Sequence, residues 1–419
     1  MERGQSKRDD IGKFLIVFGF LAPAPIISFF SITAYVWMLL ITVAWIFAYD
    51  FRNEFVVSEN FDKSYLFFSI IVYLSACICS VRMPVIWKSD IITQMIQFTA
   101  VLIVYLYFDV YSNINAHIAF IKGVHLSAIV QMIWGYLQLI FGYVGIDINT
   151  IVFGNLLHMY NGDATQYTLY GEVKVSAFCW NAGNFAPLMI IGYLLSNNFY
   201  LKILFIVISL VSGSRTLMFG MLFCVAIRVL IKLFTNKGVV AKRILIIAVF
   251  FCAGIIVFVL KANTILSKVA NILSSLNVIS NYYTEGSTNT HIMYLLRTFD
   301  ITSKNDFITN LFGFGPNCSG YAFVKHYNFY SDLGKWTVEC DYVNCLWNYG
   351  YLGAITYYIW YIKNINECRK RDFNYFVLFG TLLVMGLMYN ITFNWVSLFI
   401  IFTFILNKKG INIFELSKS

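Results

Sequence analysis

The stretch LKILFIVISLVSGSRTLMFGMLFCVAIRVLI, residues 201–231, decides the class of the protein. Two strongly apolar runs flank a five-residue polar turn, Ser212 to Thr216, and that turn carries Arg215. An arginine at the centre of a bilayer costs about 2.5–3.5 kcal/mol on insertion scales, so one set between apolar helices needs a water-filled cavity, a partner or a task. Its meaning depends on the side of the membrane that the turn faces.

The same pattern extends in both directions. The chain has 419 residues, 59% of them hydrophobic and 12% charged, with a mean hydropathy of +0.71. A water-soluble chain of this length cannot hide so much apolar side chain, and hydrophobic runs of about 20 residues recur throughout. Spans are read over 14–31, 33–49, 65–82, 90–108, 118–146, 176–196, 199–214, 217–234, 243–260, 341–361, 373–390 and 393–407, about twelve in all. Pro23 and Pro25 predict a kink in the first span and Pro187 one in the sixth, while the fifth is long enough to tilt or break. The charged start, MERGQSKRDDIGK, reads as a cytoplasmic tail leading into the first span.

Basic residues set the direction. Lys7, Arg8 and Lys13 precede the first span, and Lys232, Lys237, Lys242 and Arg243 separate the eighth from the ninth. Lys363, Arg369, Lys370 and Arg371 follow the tenth, and Lys408 and Lys409 the last. With twelve spans all four clusters fall on the cytoplasmic side. The net charge of +9 is then a topology signal and no nucleic-acid footprint. The expected fold is an all-α polytopic membrane protein. Residues 1–260 hold the first nine transmembrane helices, 261–340 form one large extracytoplasmic loop, and 341–419 hold the last three helices with a cytoplasmic tail.

That loop is too long for a connector. Ile265, Val269, Ile272 and Leu276 recur at helical spacing, as do Ile292, Leu295, Leu296 and Phe299, which predicts amphipathic helices on the membrane surface. Arg297 and Asp300 fall on the polar side of the second. Cys318 and Cys340 share the loop and are candidates for a disulfide, whereas Cys77, Cys79, Cys179, Cys224 and Cys252 lie within spans as small apolar residues. No metal-ligand spacing appears among the histidines and cysteines. The segment GFGPNCSG lacks the lysine and hydroxyl ending of a nucleotide-binding loop and reads as a tight turn returning the chain to the membrane.

Four segments carry a family resemblance: VKVSAFCWNAGNFAPLM (173–189), SGSRTLMFGML (212–222), RTFDI with NLFGFGPNCSGY (310–321), and ECDYVNCLWNYGYLGAI (339–355). Their order, their membrane context and the large outer loop before the last three spans resemble the O-antigen polymerase and O-antigen ligase superfamily. The resemblance implies a GT-C-like integral-membrane glycosyltransferase of the bacterial inner membrane, with its active site facing the periplasm and undecaprenyl-pyrophosphate-linked sugars as substrates. Lys174 and Ala177 stand where the family usually has an arginine followed by a glycine. Glu339-Cys-Asp341 stands where ligases typically show a histidine, and this acidic version looks more like the polymerases.

The chemistry can be argued beside the resemblance. A departing polyprenyl pyrophosphate gathers negative charge, which guanidinium forks match in geometry. Arg215 and Arg297 are the candidate ligands and Lys174 a third cation; Arg215 as a snorkelling anchor at the headgroups is the alternative. An acceptor hydroxyl calls for a general base, for which Asp341 and Glu339 are candidates, although acidic residues are also favoured at a helix start by the dipole alone. With pyrophosphate as leaving group no metal or other cofactor is expected. Within the motifs, Asn184, Asn317 and Tyr321 join Lys174 as candidate substrate-binding residues. Tyr321, Tyr327, Tyr330, Trp336 and Trp347 are candidates for stacking on sugar rings or for an interfacial aromatic belt.

The leading expectation is an inverting polysaccharide polymerase that works in the lipid bilayer beside a chain-length regulator. A ligase using a lipid A core acceptor and a flippase or other secondary transporter are the alternatives. The halves show no convincing repeat, and the patterned outer loop favours an enzyme.

Overall fold

The computed structural model describes residues 2–29, 32–45, 63–84, 114–159, 166–167, 173–179, 181–235, 297–327, 338–370, 372–387 and 389–391, with shorter pieces between 87 and 102. The spans expected at 243–260 and 393–407, most of the one at 90–108, and the amphipathic pattern at 265–276 lie outside the described residues, as do Tyr330 and Trp336. The described residues are mostly helical. They divide into two compact units, the first comprising 1–224 with 304–419 and the second 225–303.

In the first unit α1 (Glu2–Leu21) leads into a short antiparallel hairpin, β1 (Ser28–Phe29) and β2 (Ile32–Thr33), followed by α2 (Ala34–Trp45), α3 (Lys63–Arg82) and α4 (Ile114–Tyr143). A π-helical turn spans Thr150–Leu156, and a second hairpin pairs β3 (Gln166–Tyr167) with β4 (Val173–Lys174). Next come α5 (Ala182–Leu195), α6 (Phe199–Val211) and α7 (Arg215–Thr235), which continues into the second unit. The last described elements are α8 (Phe307–Phe312), α9 (Tyr321–Tyr327), α10 (Asp341–Arg369) and α11 (Phe373–Met385). Two of these are long and apolar enough to cross a membrane, Lys63–Arg82 and Ile118–Tyr143 within α4. Along α3, Leu66, Phe67, Ile70, Leu74 and Val81 are exposed on the surface, as an apolar solvent would favour.

Capping side chains account for the helix starts. Asn181 accepts from the N–H of Asn184 (2.9 Å), Asn198 from Tyr200 (2.8 Å), Asp306 from Thr309 (3.0 Å) and Asp372 from Asn374 (2.7 Å). Each satisfies an N–H that the first helical turn leaves without an intrahelical acceptor. Helices α1 and α4 approach backbone to backbone, with Gly19 against the main chain of Phe120 and Gly123 against that of Ile16. This is the close small-residue packing favoured between membrane helices. An aromatic seam joins α3 to α10: Tyr65 meets Trp360 at 5.0 Å between ring centres, and Phe68 meets Tyr357 at 5.2 Å.

Several expected boundaries are corrected. The first helix ends at Leu21, so Pro23 and Pro25 follow its end instead of kinking it. The fifth span is one unbroken helix of 30 residues. The sixth begins at Ala182 and not at 176, because 175–179 is a non-helical segment whose main chain bonds to side chains of α4. The tenth runs on to Arg369 and is broken at Gly350 (φ 68°, ψ −171°). The GFGPNC turn fits this break: the N–H of Phe314 donates to Trp347 O (2.6 Å) and that of Gly315 to Asn348 O (3.0 Å). Ser75 of α3 completes the junction, its Oγ donating to Phe312 O at 2.6 Å. Irregular backbone among apolar helices is stable only when its polar groups are paired in this way.

Arg297, in the second unit, opens a described helical stretch, 297–304, and its guanidinium lies 3.9 Å from Asp300. Phe299 is 82% exposed and Ile301 fully buried, so Phe299 does not share the buried side of this stretch.

Candidate functional site

The turn at 212–216 is shaped by its small residues. Gly213 has φ +67°, a conformation that a side chain disfavours, and a Cβ there would come within 2.6 Å of Val173 O. Ser214 Oγ accepts from the N–H of Leu217 (3.4 Å), and Arg215 is therefore the first residue of α7, with an exposed side chain. The N–H of Val175 donates to Ser212 O at 2.9 Å. The strand bearing Lys174 is thus sewn to the turn bearing Arg215.

Glu339 enters the same neighbourhood from the start of α10. It is half-buried, and burial raises its carboxyl above the usual carboxylate range while the positive charge of Lys174 pulls it back. Two cations and a carboxylate with an elevated proton affinity consequently share one end of the first unit.

Asp341 sits deeper, 1% exposed. Its N–H donates to Gly386 O at 2.9 Å, and its carboxylate packs against Gly386, where a Cβ would lie 2.7 Å from Oδ2. The end of α11 and the segment after it tie these pieces together. Met385 packs on Gly220 of α7, and Tyr389 on Gly183 beside the buried Asn184. The N-terminal ends of α5, α7 and α10 and the C-terminal end of α11 therefore meet around residues 385–389.

Asn317 and Tyr321 belong to a second cluster. Asn317 holds a left-handed turn (φ 60°), and the ring of Tyr321 packs between Trp87 (5.7 Å) and Phe314 (5.8 Å). Burial raises the Tyr321 phenol above its ordinary value. Trp347, only 2% exposed, packs on Phe323 at 5.2 Å, so it serves the core and is no platform for sugar rings. Cys318 and Cys340 are both buried thiols and do not form the expected disulfide. Arg297 lies in the second unit.

Two features escaped the sequence reading. Arg82, the last residue of α3, pairs with Asp306 at 2.7 Å and donates to Thr309 Oγ1 at 3.2 Å; the pair holds the Asp306 carboxyl well below the usual range. The argument used for Arg215, an arginine at the end of an apolar run, applies equally to Arg82. The other is a row of side chains on α4, Gln131, Trp134 and Gln138, of which the glutamines bond to the 176–178 segment and Trp134 to Asn149 before the π-helical turn. Their spacing of three and four places them on one helical face and is visible in the sequence.

No family model matches the chain, and no curated protein matches it.

Proposed function

We propose that the protein is a membrane glycosyltransferase that polymerises a bacterial surface polysaccharide, in line with its resemblance to the O-antigen polymerases. In this reading about twelve helices cross the inner membrane, and the cluster of Arg215, Lys174 and Glu339 faces the periplasm. The growing glycan leaves undecaprenyl pyrophosphate and bonds to a hydroxyl of an incoming lipid-linked repeat unit.

The observation that carries the reading is the bond from Val175 to Ser212, which brings Lys174 to the Arg215 turn with Glu339 under the field of that lysine. A cation at a helix N-terminus opposes the helix dipole by about 0.3–1 kcal/mol. A bound diphosphate reconciles the two, since it is attracted to the guanidinium, to Lys174 and to the helix end alike. Charge developing on the leaving diphosphate would be stabilised there without reorganisation. Glu339, with its raised proton affinity, suits the removal of a proton from the acceptor hydroxyl. Asp341 is buried and tied to the end of α11, and it acts in this scheme by holding the start of α10 in place.

The test is an in vitro assay with purified protein and a matched undecaprenyl-pyrophosphate-linked repeat unit. Lengthening of the lipid-linked glycan is the expected result. No lengthening by folded wild-type protein overturns the proposal.

A further inference from the structure

Residues 175–179 have neither helix nor strand partners of their own, yet they are buried. Gln138, fully buried on α4, serves them: its Oε1 accepts from the N–H groups of both Ser176 (3.2 Å) and Ala177 (3.0 Å), and its Nε2 lies 3.4 Å from Ser176 Oγ. Asn149 closes the other side by donating to Ala177 O (3.0 Å) and Ser176 Oγ (3.3 Å), and it accepts from Trp134 Nε1 (2.8 Å). Together they hold a bend in which Ala177 has φ +47°, a conformation that a non-glycine residue disfavours. Buried N–H groups left without an acceptor are costly too, so without Gln138 this bend is the first part of the segment to relax.

The bend begins one residue after Val175, whose N–H is bonded to Ser212. We propose that Gln138 is a positioning residue for Lys174: its amide oxygen fixes the 176–177 bend and thereby holds the strand carrying Lys174 against the Ser212–Gly213 turn. The inference rests on the proposed function only where activity is the readout.

The experiment compares full-length wild type with Gln138→Met, which keeps the length and removes the amide acceptor, and Gln138→Glu, which keeps an acceptor oxygen. Two readouts are independent of activity. Amide hydrogen exchange over 175–178 is expected to accelerate about tenfold or more in Gln138→Met, with the amides of α10 unchanged and Gln138→Glu close to wild type. Acylation of Lys174 by a water-soluble active ester, read by peptide mass, is expected to change severalfold while that of Lys363 stays constant. Unchanged exchange at 175–178, or faster exchange everywhere, overturns the proposal, as does an unaltered Lys174 rate. In the transfer assay the effects of Gln138→Met and Lys174→Ala are expected not to add, because both act through one cation; full additivity contradicts this. An inactive wild type with the expected exchange and acylation results refutes the proposed function and leaves the positioning role standing.

Discussion

The main-chain N–H of Asp341 donates to the carbonyl of Gly386 at 2.9 Å, so the first residue of α10 is fastened to the residue that ends α11. This bond joins the acidic motif to the segment that packs on α7 through Met385 and Gly220. It makes the geometry of the cluster depend on a residue 45 positions away from the carboxylate it steadies (386 − 341).

Gly386→Ala tests that dependence. The added methyl would lie 2.7 Å from Asp341 Oδ2 and 3.1 Å from Leu383 O. We expect a loss of about 1–3 kcal/mol, as for other overpacked sites. Gly380→Ala in the same helix meets nothing within 4 Å and is expected to be neutral or to stabilise by up to about 1 kcal/mol. Thermal unfolding of both variants in one detergent checks the contrast.

Gly213→Ala is expected to damage the turn itself. It forces a side chain into φ +67° and toward Val173 O. Strain of this kind costs about 1–3 kcal/mol, and glycan transfer is expected to fall even at a temperature where the variant remains folded. Ala177→Gly is expected to relieve about 1 kcal/mol at its own positive φ. Denaturation midpoints decide both.

The pH dependence follows from Glu339. Its carboxyl is raised above 4.5 in the folded protein, mainly by burial, so the folded state binds the proton more tightly than the unfolded state. Stability from this group is fully present below the unfolded value and is lost as pH rises through the folded one. Glu339→Gln is accordingly expected to stabilise the protein at neutral pH while abolishing transfer. The acidic limb of the rate profile is expected above the usual carboxylate range, and Lys174→Met should move it higher still, since Lys174 lowers the Glu339 value. A limb unmoved by that substitution contradicts the pairing.

Much of the helical framework is legible in the sequence. Helices lie where three of the spans are read, Lys63–Arg82 at 65–82, Phe199–Val211 at 199–214 and Arg215–Thr235 at 217–234. Apolar length and the Asn, Asp and Ser caps decide such elements locally. The SGSRT and GFGPNC turns are readable for the same reason, since glycine marks where φ turns positive. The start of α5 is not readable. The run from Ser176 is apolar enough for a helix, and the acceptors of Gln138 and Gln131 on another helix, together with Asn149, make the non-helical bend competitive. The break at Gly350 likewise depends on the loop at 313–315, and the burial of Asp341 on the end of α11. Within the site, Arg215, Lys174 and Glu339 are identifiable in the sequence as charges bordering apolar runs. Which carboxylate meets the lysine is a tertiary fact.

The most direct measurement is complementation of a polymerase-null strain that makes the matching repeat unit. Wild type, Arg215→Ala, Glu339→Gln and, as a separate candidate, Arg297→Ala are expressed at equal membrane levels, and the polysaccharide ladder is read on a gel. Wild type is expected to restore the ladder. Arg215→Ala is expected to leave single units, consistent with a loss of about 10²–10³ in rate when one donor to a developing anion is removed. A full ladder from well-expressed Arg215→Ala would make that arginine an interfacial anchor and contradict the diphosphate site on which the account rests.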